Sequence, residues 1–378
     1  MSVKRCDKLI AEDVDGRGSV TVDGLANRPT LAEIAEVAGV AVSTASRTLT
    51  RSRRGLPPTS AAAERVLAAA RQANYQPDLH AASLRSKRTH MLGVLVPHLT
   101  DVVLSTIYEG IDLAATELGY QSVVANTMDS PEEQRRRAEL LLSYRVDGLI
   151  FGDAHWDNPL LAELAERGVP FILVSRTHGG FDSVTCDDYT GGRLAGTHLA
   201  DLGHRRVGII AGQPYASTGR ERSRGCVEAL AERGIPTPRD LLVHSTFDAE
   251  GGRGAALRLM RNDAPPTAIF AVNDTTAIGA MGALRDLGCT VGSDVALVGF
   301  NDIAIARDLP LPLSTVRSPL SQMGSKAAQM LISRLRGEAS ASPRHHRLPP
   351  QLVVRESSDP TVRKHSSAAR SPARIQMS

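Results

Sequence analysis

From Leu92 onward the chain repeats one rhythm, and that rhythm limits the folds open to it. Short aliphatic runs recur as "LGVLVP", "QSVVAN", "VDGLIFG", "PFILVS", "RVGIIAG", "PTAIFAVND" and "DVALVGFND". Between most of them lie helical patterns such as "LSTIYEGIDLAATELG", "PEEQRRRAELLLSYR" and "DTTAIGAMGALRDLG". Strands that alternate with helices form βαβ units, whose parallel sheets are covered on both faces and read as continuous apolar runs. The strands are too many for one small sheet, so the pattern predicts an α/β fold with two doubly wound lobes. Several runs end in polar residues, as in "AVND" and "GFND". Open parallel sheets bind ligands at those carboxyl ends.

Residues 31–49, "LAEIAEVAGVAVSTASRTL", follow a different period. Leu31, Ile34, Ala35 and Ala38 fall at i, i+3, i+4 and i+7, one apolar face of a two-turn helix. Gly39 suits the positive φ of a tight helix end. Val42, Ala45 and Leu49 share a face of a second short helix. Neither helix is long enough to stand alone. A third, "AAAERVLAAARQAN", is N-capped by Thr59 or Ser60 and offers Val66, Leu67, Ala70 and Ala73 to the pair. The spacing predicts a helix-turn-helix. Its second helix turns Ser43, Thr44, Ser46 and Arg47 outward, as donors suited to phosphates and base edges, and Arg is the usual partner of guanine. An alanine-rich helical hairpin with no DNA partner has the same pattern.

Charge is unevenly spread. The 378-residue chain carries a net charge of only +3, and its 42% hydrophobic and 22% charged composition is that of a soluble globular protein. Residues 28–90 nevertheless hold ten Arg or Lys against four Asp or Glu, whereas residues 89–354 hold 25 against 30. A basic module on a mildly acidic body fits a polyanionic partner or a solvated basic face. Cys6, Cys186, Cys226 and Cys289 form no CxxC pair. That argues against a metal site and a disulfide framework, and fits a reducing cytosol. No apolar run approaches membrane-spanning length, and the first residues lack the apolar core of a signal peptide. The expected location is cytoplasmic, with no membrane partner.

At this point several motifs agree in order and spacing with one family. "TLAEIAEVAGVAVSTASRTL", "ANYQPDLHAASLRS", "LGVLVPHLTD", "DDYTGGRLAGTHLADLGHRRVGIIAG", "AVNDTTAIGAMGAL" and "VGFNDIAIARDLPLPLSTVRSP" together resemble the lactose-repressor (LacI/GalR) family of bacterial transcription regulators over roughly residues 29–357. The resemblance implies an N-terminal helix-turn-helix headpiece and a two-lobed core like the periplasmic sugar-binding proteins. The implied domains are a flexible extension (1–28), a DNA-binding domain (29–76), a hinge helix or linker (77–90), a ligand-binding and dimerisation core (91–357) and a disordered tail (358–378).

The resemblance also implies partners and site residues. The chain is expected to repress transcription as a homodimer on a near-palindromic double-stranded operator. Val42 and Ser43 occupy the positions that vary operator choice, with Thr44, Ser46 and Arg47 on phosphates or bases. Leu84 occupies the place of the hinge leucine that wedges between central base steps. A small effector, with a carbohydrate or a nucleoside or purine the leading types, is expected in the cleft against Arg220, Phe247, Asn273, Asn301, Asp101 and Ser175, with Arg222 as the nearby alternative to Arg220. Surface or helix-capping roles are the competing reading for each of these. The chain departs from the family at Ala41, where Ser is usual, and at Thr50, where Asn is usual. The loop "RSRRGLPP" is longer than usual, and its Arg51, Arg53 and Arg54 are candidates to replace lost phosphate contacts. The lobe crossings are expected near Gly203–Arg206, Ser314–Ser318 and residues 338–348.

Other functions are weaker. A solute-binding protein shares the core fold but not the basic N-terminal module. An enzyme is disfavoured, because no P-loop, GxSxG, HExxH or GxGxxG stands at a strand–helix turn. No cofactor or metal is expected. A regulator controlled by a phosphoprotein co-effector remains compatible with the sequence.

Overall fold

The computed structural model describes residues 29–53, 56–75, 88–156, 158–338, 344–359 and 361–362. The chain divides into two compact units between Ser86 and Lys87. The expected N-terminal extension, the tail beyond residue 362 and the hinge residue Leu84 lie outside the described residues.

Among the described residues the first unit holds three helices. Helix α1 (Leu31–Val37) begins with a reciprocal capping box, in which Thr30 Oγ1 accepts from Glu33 N and the Glu33 carboxylate accepts from Thr30 N. Gly39 follows at φ +62°. Helix α2 (Val42–Arg53) and helix α3 (Ala61–Gln72, capped by Ser60) complete the set. Ile34, Ala35, Ala38, Ala45, Val66, Ala69 and Ala70 form the core, with Leu31 and Leu49 packed against it. Two sequence expectations shift. Val42 is 44% exposed, because it is the first residue of α2 and stands one turn before the packed Ala45. On α3 the buried side chains are Ala63, Val66, Ala69 and Ala70, while Leu67 is half-buried and Ala73 is exposed where the helix ends.

The second unit is built on two six-stranded sheets. The first contains β1 (Met91–Val96), β2 (Gln121–Asn126), β3 (Gly148–Phe151), β4 (Phe171–Val174), β5 (Ser183–Cys186) and a late strand β11 (His345–Leu348). Its order is β11-β5-β4-β3-β1-β2, all parallel, with Leu92 opposite both Ser122 and Gly148. The second contains β6 (Val207–Ala211), β7 (Leu242–His244), β8 (Ala268–Ala271), β9 (Ala296–Asn301), β10 (Ser314–Arg317) and β12 (Gln351–Val353). Its order is β12-β10-β9-β8-β6-β7, with only β12 antiparallel. Every residue of β3, β4, β5, β6, β8 and β9 is buried, as expected for parallel strands covered on both faces.

The chain passes between the lobes at Asp187, at Ser318–Pro319 and at Pro349–Pro350. The second agrees with the sequence expectation, the third falls directly after the expected residues 338–348, and the first does not agree. Helix α7 (Asp188–Asp201) already belongs to the second lobe: Asp188 pairs with Arg222, and Gly191 packs against Phe300 of β9. The last crossing follows β11, which joins the first sheet. The second lobe runs through Ser357 and Ser358, which are buried and bonded to β10 through Ser314.

Three helix pairs touch backbone to backbone. In the first lobe, α4 (Val102–Glu117) and α12 (Leu320–Leu335) meet at Gly110 and Gly324. In the second, α7 meets α8 (Ser217–Glu232) at Gly192 and Gly225. There too, α9 (Ala249–Met260) meets α10 (Asp274–Asp286) at Gly252 and Gly279. A Cβ on any of the six would lie 1.9–2.2 Å from a carbonyl oxygen of the facing helix. Gly279→Ala is therefore expected to destabilise the protein by roughly 1–3 kcal/mol through overpacking. Gly254→Ala is the control: it meets nothing within 4 Å and should stabilise by roughly 0.5–1 kcal/mol as a helix former. Urea unfolding of both variants tests this, and equal effects would refute the packing argument.

Candidate functional site

In the first unit, α2 presents Ser43 and Arg47 to solvent, with Thr44 and Ser46 half-buried beside them. Ala41 has no side-chain acceptor, so the helix starts on its carbonyl alone, which accepts from Thr44 N and Ala45 N. Arg47 Nε donates to Ser43 O at 3.3 Å, leaving the rest of its guanidinium exposed. Thr50 Oγ1 is turned back to Ser46 O at 2.9 Å. Arg51 Nε donates to Pro57 O at 3.1 Å, so its side chain braces its own loop.

In the second unit, a cavity of about 780 Å³ lies between the two lobes. That volume suits a small organic ligand. Loops after β1, β2, β4, β6, β7, β8 and β9 reach it, so it sits at the carboxyl ends of both sheets. Five of the six ligand-site residues expected from the sequence line it: Asp101, Ser175, Phe247, Asn273 and Asn301. Val103 and Leu104, where the family commonly has aromatics, line it as buried aliphatics.

Arg220 does not line the cavity. Its guanidinium lies 4.2 Å from the ring centroid of Trp156, and its Nε donates to Glu221. Arg222 takes the place at the cleft. Its side chain is 6% exposed, donates through Nε to Asp188 at 2.7 Å and through Nη1 to Val272 O at 2.8 Å, and lies 3.8 Å over the Phe300 ring. Asn273 and Asp101 have capping roles as well. Asn273 Oδ1 accepts from Thr276 N, its Nδ2 donates to Phe247 O, and Asp101 Oδ1 accepts from Val103 N. Asn301 Oδ1 accepts from Ser318 Oγ at 3.1 Å. Burial holds the Asp101 carboxyl above its ordinary range.

Two features were not legible in the sequence. The first is backbone strain. Met128, Asp129, Ser175 and Asn301 all line the cavity, and all hold φ between +53° and +106°. Such left-handed non-glycine residues are unfavourable and gather at binding sites. The second is a charge knot centred on Asp129, which accepts from Arg176 (2.5 and 3.0 Å), His155 Nε2 (3.0 Å) and Tyr215 OH (2.9 Å). The His155 and Tyr215 rings stack at 4.2 Å, and Arg176 also lies over Phe247. Burial alone would push the Asp129 carboxyl up, but the bonds from His155, Arg176 and Tyr215 outweigh it and hold the carboxyl well below its usual range. Arg176 directly follows Ser175, yet nothing local marks its partner 47 positions earlier. Tyr215 and Ser217 belong to the second lobe. Tyr215 OH on Asp129, Tyr215 O accepting from Trp156 N and Ser217 Oγ accepting from Thr177 N therefore tie the lobes together along one side of the cleft.

Residues 30–78 match the bacterial regulatory proteins of the lacI family, and residues 197–358 match the periplasmic binding protein-like domain. The HTH-type transcriptional regulator DegA of Bacillus subtilis (strain 168) is 31% identical over 338 residues, 88% of this chain and 99% of that protein. The chain belongs to the lacI family of bacterial regulatory proteins. This lacI-family chain is also 29% identical to the transcriptional repressor PurR of Actinobacillus pleuropneumoniae serotype 3 (strain JL03), over 87% of its own length and 98% of that protein's. Among solved structures it resembles the regulator CelR in complex with cellobiose (TM-score 0.68, 32% identity, 88% of this chain, 100% of that one). It also resembles the lac repressor dimer bound to operator and the anti-inducer ONPF (TM-score 0.77, 27% identity, 88% and 100%).

The Asp129 knot yields a pH prediction. Its folded pKa lies below the unfolded value, so its contribution to stability is complete above about pH 4 and is lost as pH falls toward the folded value. Asp129→Asn leaves Arg176 buried and unpaired, and should cost roughly 3–5 kcal/mol at neutral pH. The gap between wild type and variant should close as the pH falls below about 4. Denaturation at a series of pH values measures it; a gap independent of pH would refute the assignment.

Proposed function

We propose that this lacI-family regulator represses transcription by holding a near-palindromic operator as a homodimer in the cytoplasm, under control of a small ligand in the interlobe cavity, and has no catalytic activity. The observation that carries the effector reading is the convergence of left-handed strand ends and buried polar side chains from both lobes on one cavity. The effector is of sugar type or of nucleoside or purine type, and the sugar type is in keeping with cellobiose on CelR. Arg222, Phe247, Asn273, Asn301, Asp101 and Ser175 contact it, and Arg220 acts from outside through Trp156. No helix among the described residues is long and apolar enough to cross a membrane, which is compatible with this reading.

On the DNA side, residues 29–76 bind one half-site, with Val42, Ser43, Thr44, Ser46 and Arg47 facing the major groove. The exposure of Val42 at the start of α2 supports its use there rather than in the core. Residues 77–90 act as the hinge and Leu84 as its wedge.

Operator binding measured across a salt series tests the proposal. Affinity should fall steeply with salt as counterions are released, and scrambled DNA should bind far more weakly. Arg47→Ala should lose about 1–3 kcal/mol of discrimination per half-site if it reads a guanine. Unaltered discrimination removes Arg47 from the reading role. Leu84→Ala should lower operator affinity while leaving thermal stability and effector affinity unchanged. An operator affinity equal to wild type would refute the wedge.

A further inference from the structure

The cavity contains two arginines, and neither is free. Arg176 spends both terminal nitrogens on Asp129, and Arg222 is held by Asp188 and a backbone carbonyl. Their side chains are 7% and 6% exposed, so each pair is largely withdrawn from water. Burial pushes the Asp188 carboxyl up to about 6 against the pull of Arg222, whose guanidinium it meets at 2.7 Å. The lining adds two more carboxyl groups that form no ion pair among the described residues, Asp101 at the start of α4 and Asp248 at the start of α9, and Arg176 and His98 reach Asp101 only at longer range. Asp101 Oδ1 accepts from Val103 N at 2.9 Å and the Leu104 N–H also supports the carboxyl, which leaves about two of its roughly four acceptor sites open. The cavity therefore has spare acceptor capacity and a surplus of negative charge.

We propose that the cleft selects an uncharged polyhydroxylated effector and rejects the phosphorylated or carboxylated form of the same skeleton, with Asp101 accepting a ligand hydroxyl. The inference rests on the small-effector reading above. A phosphate or carboxylate would have to sit beside Asp101 and Asp129 in the cleft, or draw Arg176 off Asp129 and leave that buried carboxylate with only the bonds from His155 and Tyr215. A hydroxyl donates to Asp101 in a charge-assisted bond, and the amide of Asn301 and the hydroxyl of Ser175 serve neutral groups equally well. The aliphatic part of the wall, including Val103, Leu104 and Ile303, suits the C–H face of a sugar ring.

The test is a thermal-shift and calorimetric panel on the full chain, of mono- and disaccharides, polyols and nucleosides. It includes the matched pairs cellobiose and cellobionate, ribose and ribose 5-phosphate, and adenosine and AMP. At least one neutral member should stabilise the protein, and should bind at least about tenfold tighter than its anionic partner. An anion that binds as tightly as its neutral partner overturns the inference and leaves the small-effector reading standing. If no member of either class binds, both fall. Asp101→Asn keeps a cap acceptor at the start of α4, and circular dichroism checks its fold. It should narrow the gap between neutral and anionic partners by about tenfold; an unchanged gap overturns the role given to Asp101.

Discussion

Glycine-mediated contact between paired helices is the constraint on which the two-lobed core depends. At Gly110 and Gly324, Gly192 and Gly225, and Gly252 and Gly279, one helix backbone lies against the next with no side chain between. The consequence is greatest for α12. This helix enters the first lobe only after the second crossing, and its contact with α4 returns the chain to a lobe it left more than a hundred residues earlier. The crossings, and the cavity that lies between the lobes, follow from having two separately packed bodies joined by short connections.

Onto that frame the sequence places polar residues where the sheets end. The price is visible in the backbone: four residues lining the cavity adopt a conformation that side chains disfavour. The same region concentrates charge, but in compensated form. Asp129 gathers Arg176, His155 and Tyr215 into one network, and Asp188 holds Arg222. Buried networks of this type are worth most when every member is satisfied, and they fix relative positions more than they add net stability. Here Tyr215 comes from one lobe and the other three members from its neighbour, so the positions fixed are those of the lobes.

The alternation of apolar runs and helical patterns was enough to reveal both sheets, because parallel strands are uniformly apolar and helices keep a 3.6-residue period. The cap of α3 was legible as Thr59 or Ser60, being local chemistry, and the structure uses Ser60. The arginine of the cleft was not. Arg220 and Arg222 are two residues apart on α8, a separation that turns side chains to nearly opposite sides. Matching alone could not say which side met the cavity. The first crossing was misread for a related reason: the period of residues 188–201 identifies a helix but not the sheet it covers. The Asp129 knot joins residues far apart in the chain, and no spacing rule links them.

The contact between Trp156 and Arg220 gives the protein an optical property. Trp156 is the only tryptophan in the chain, and it stands on the seam between the lobes with a cation over its ring. Indole emission responds to nearby charge and to water. The tryptophan fluorescence of the molecule therefore arises at a place where a relative movement of the lobes changes both, and the protein carries its own gauge of lobe position without any added label.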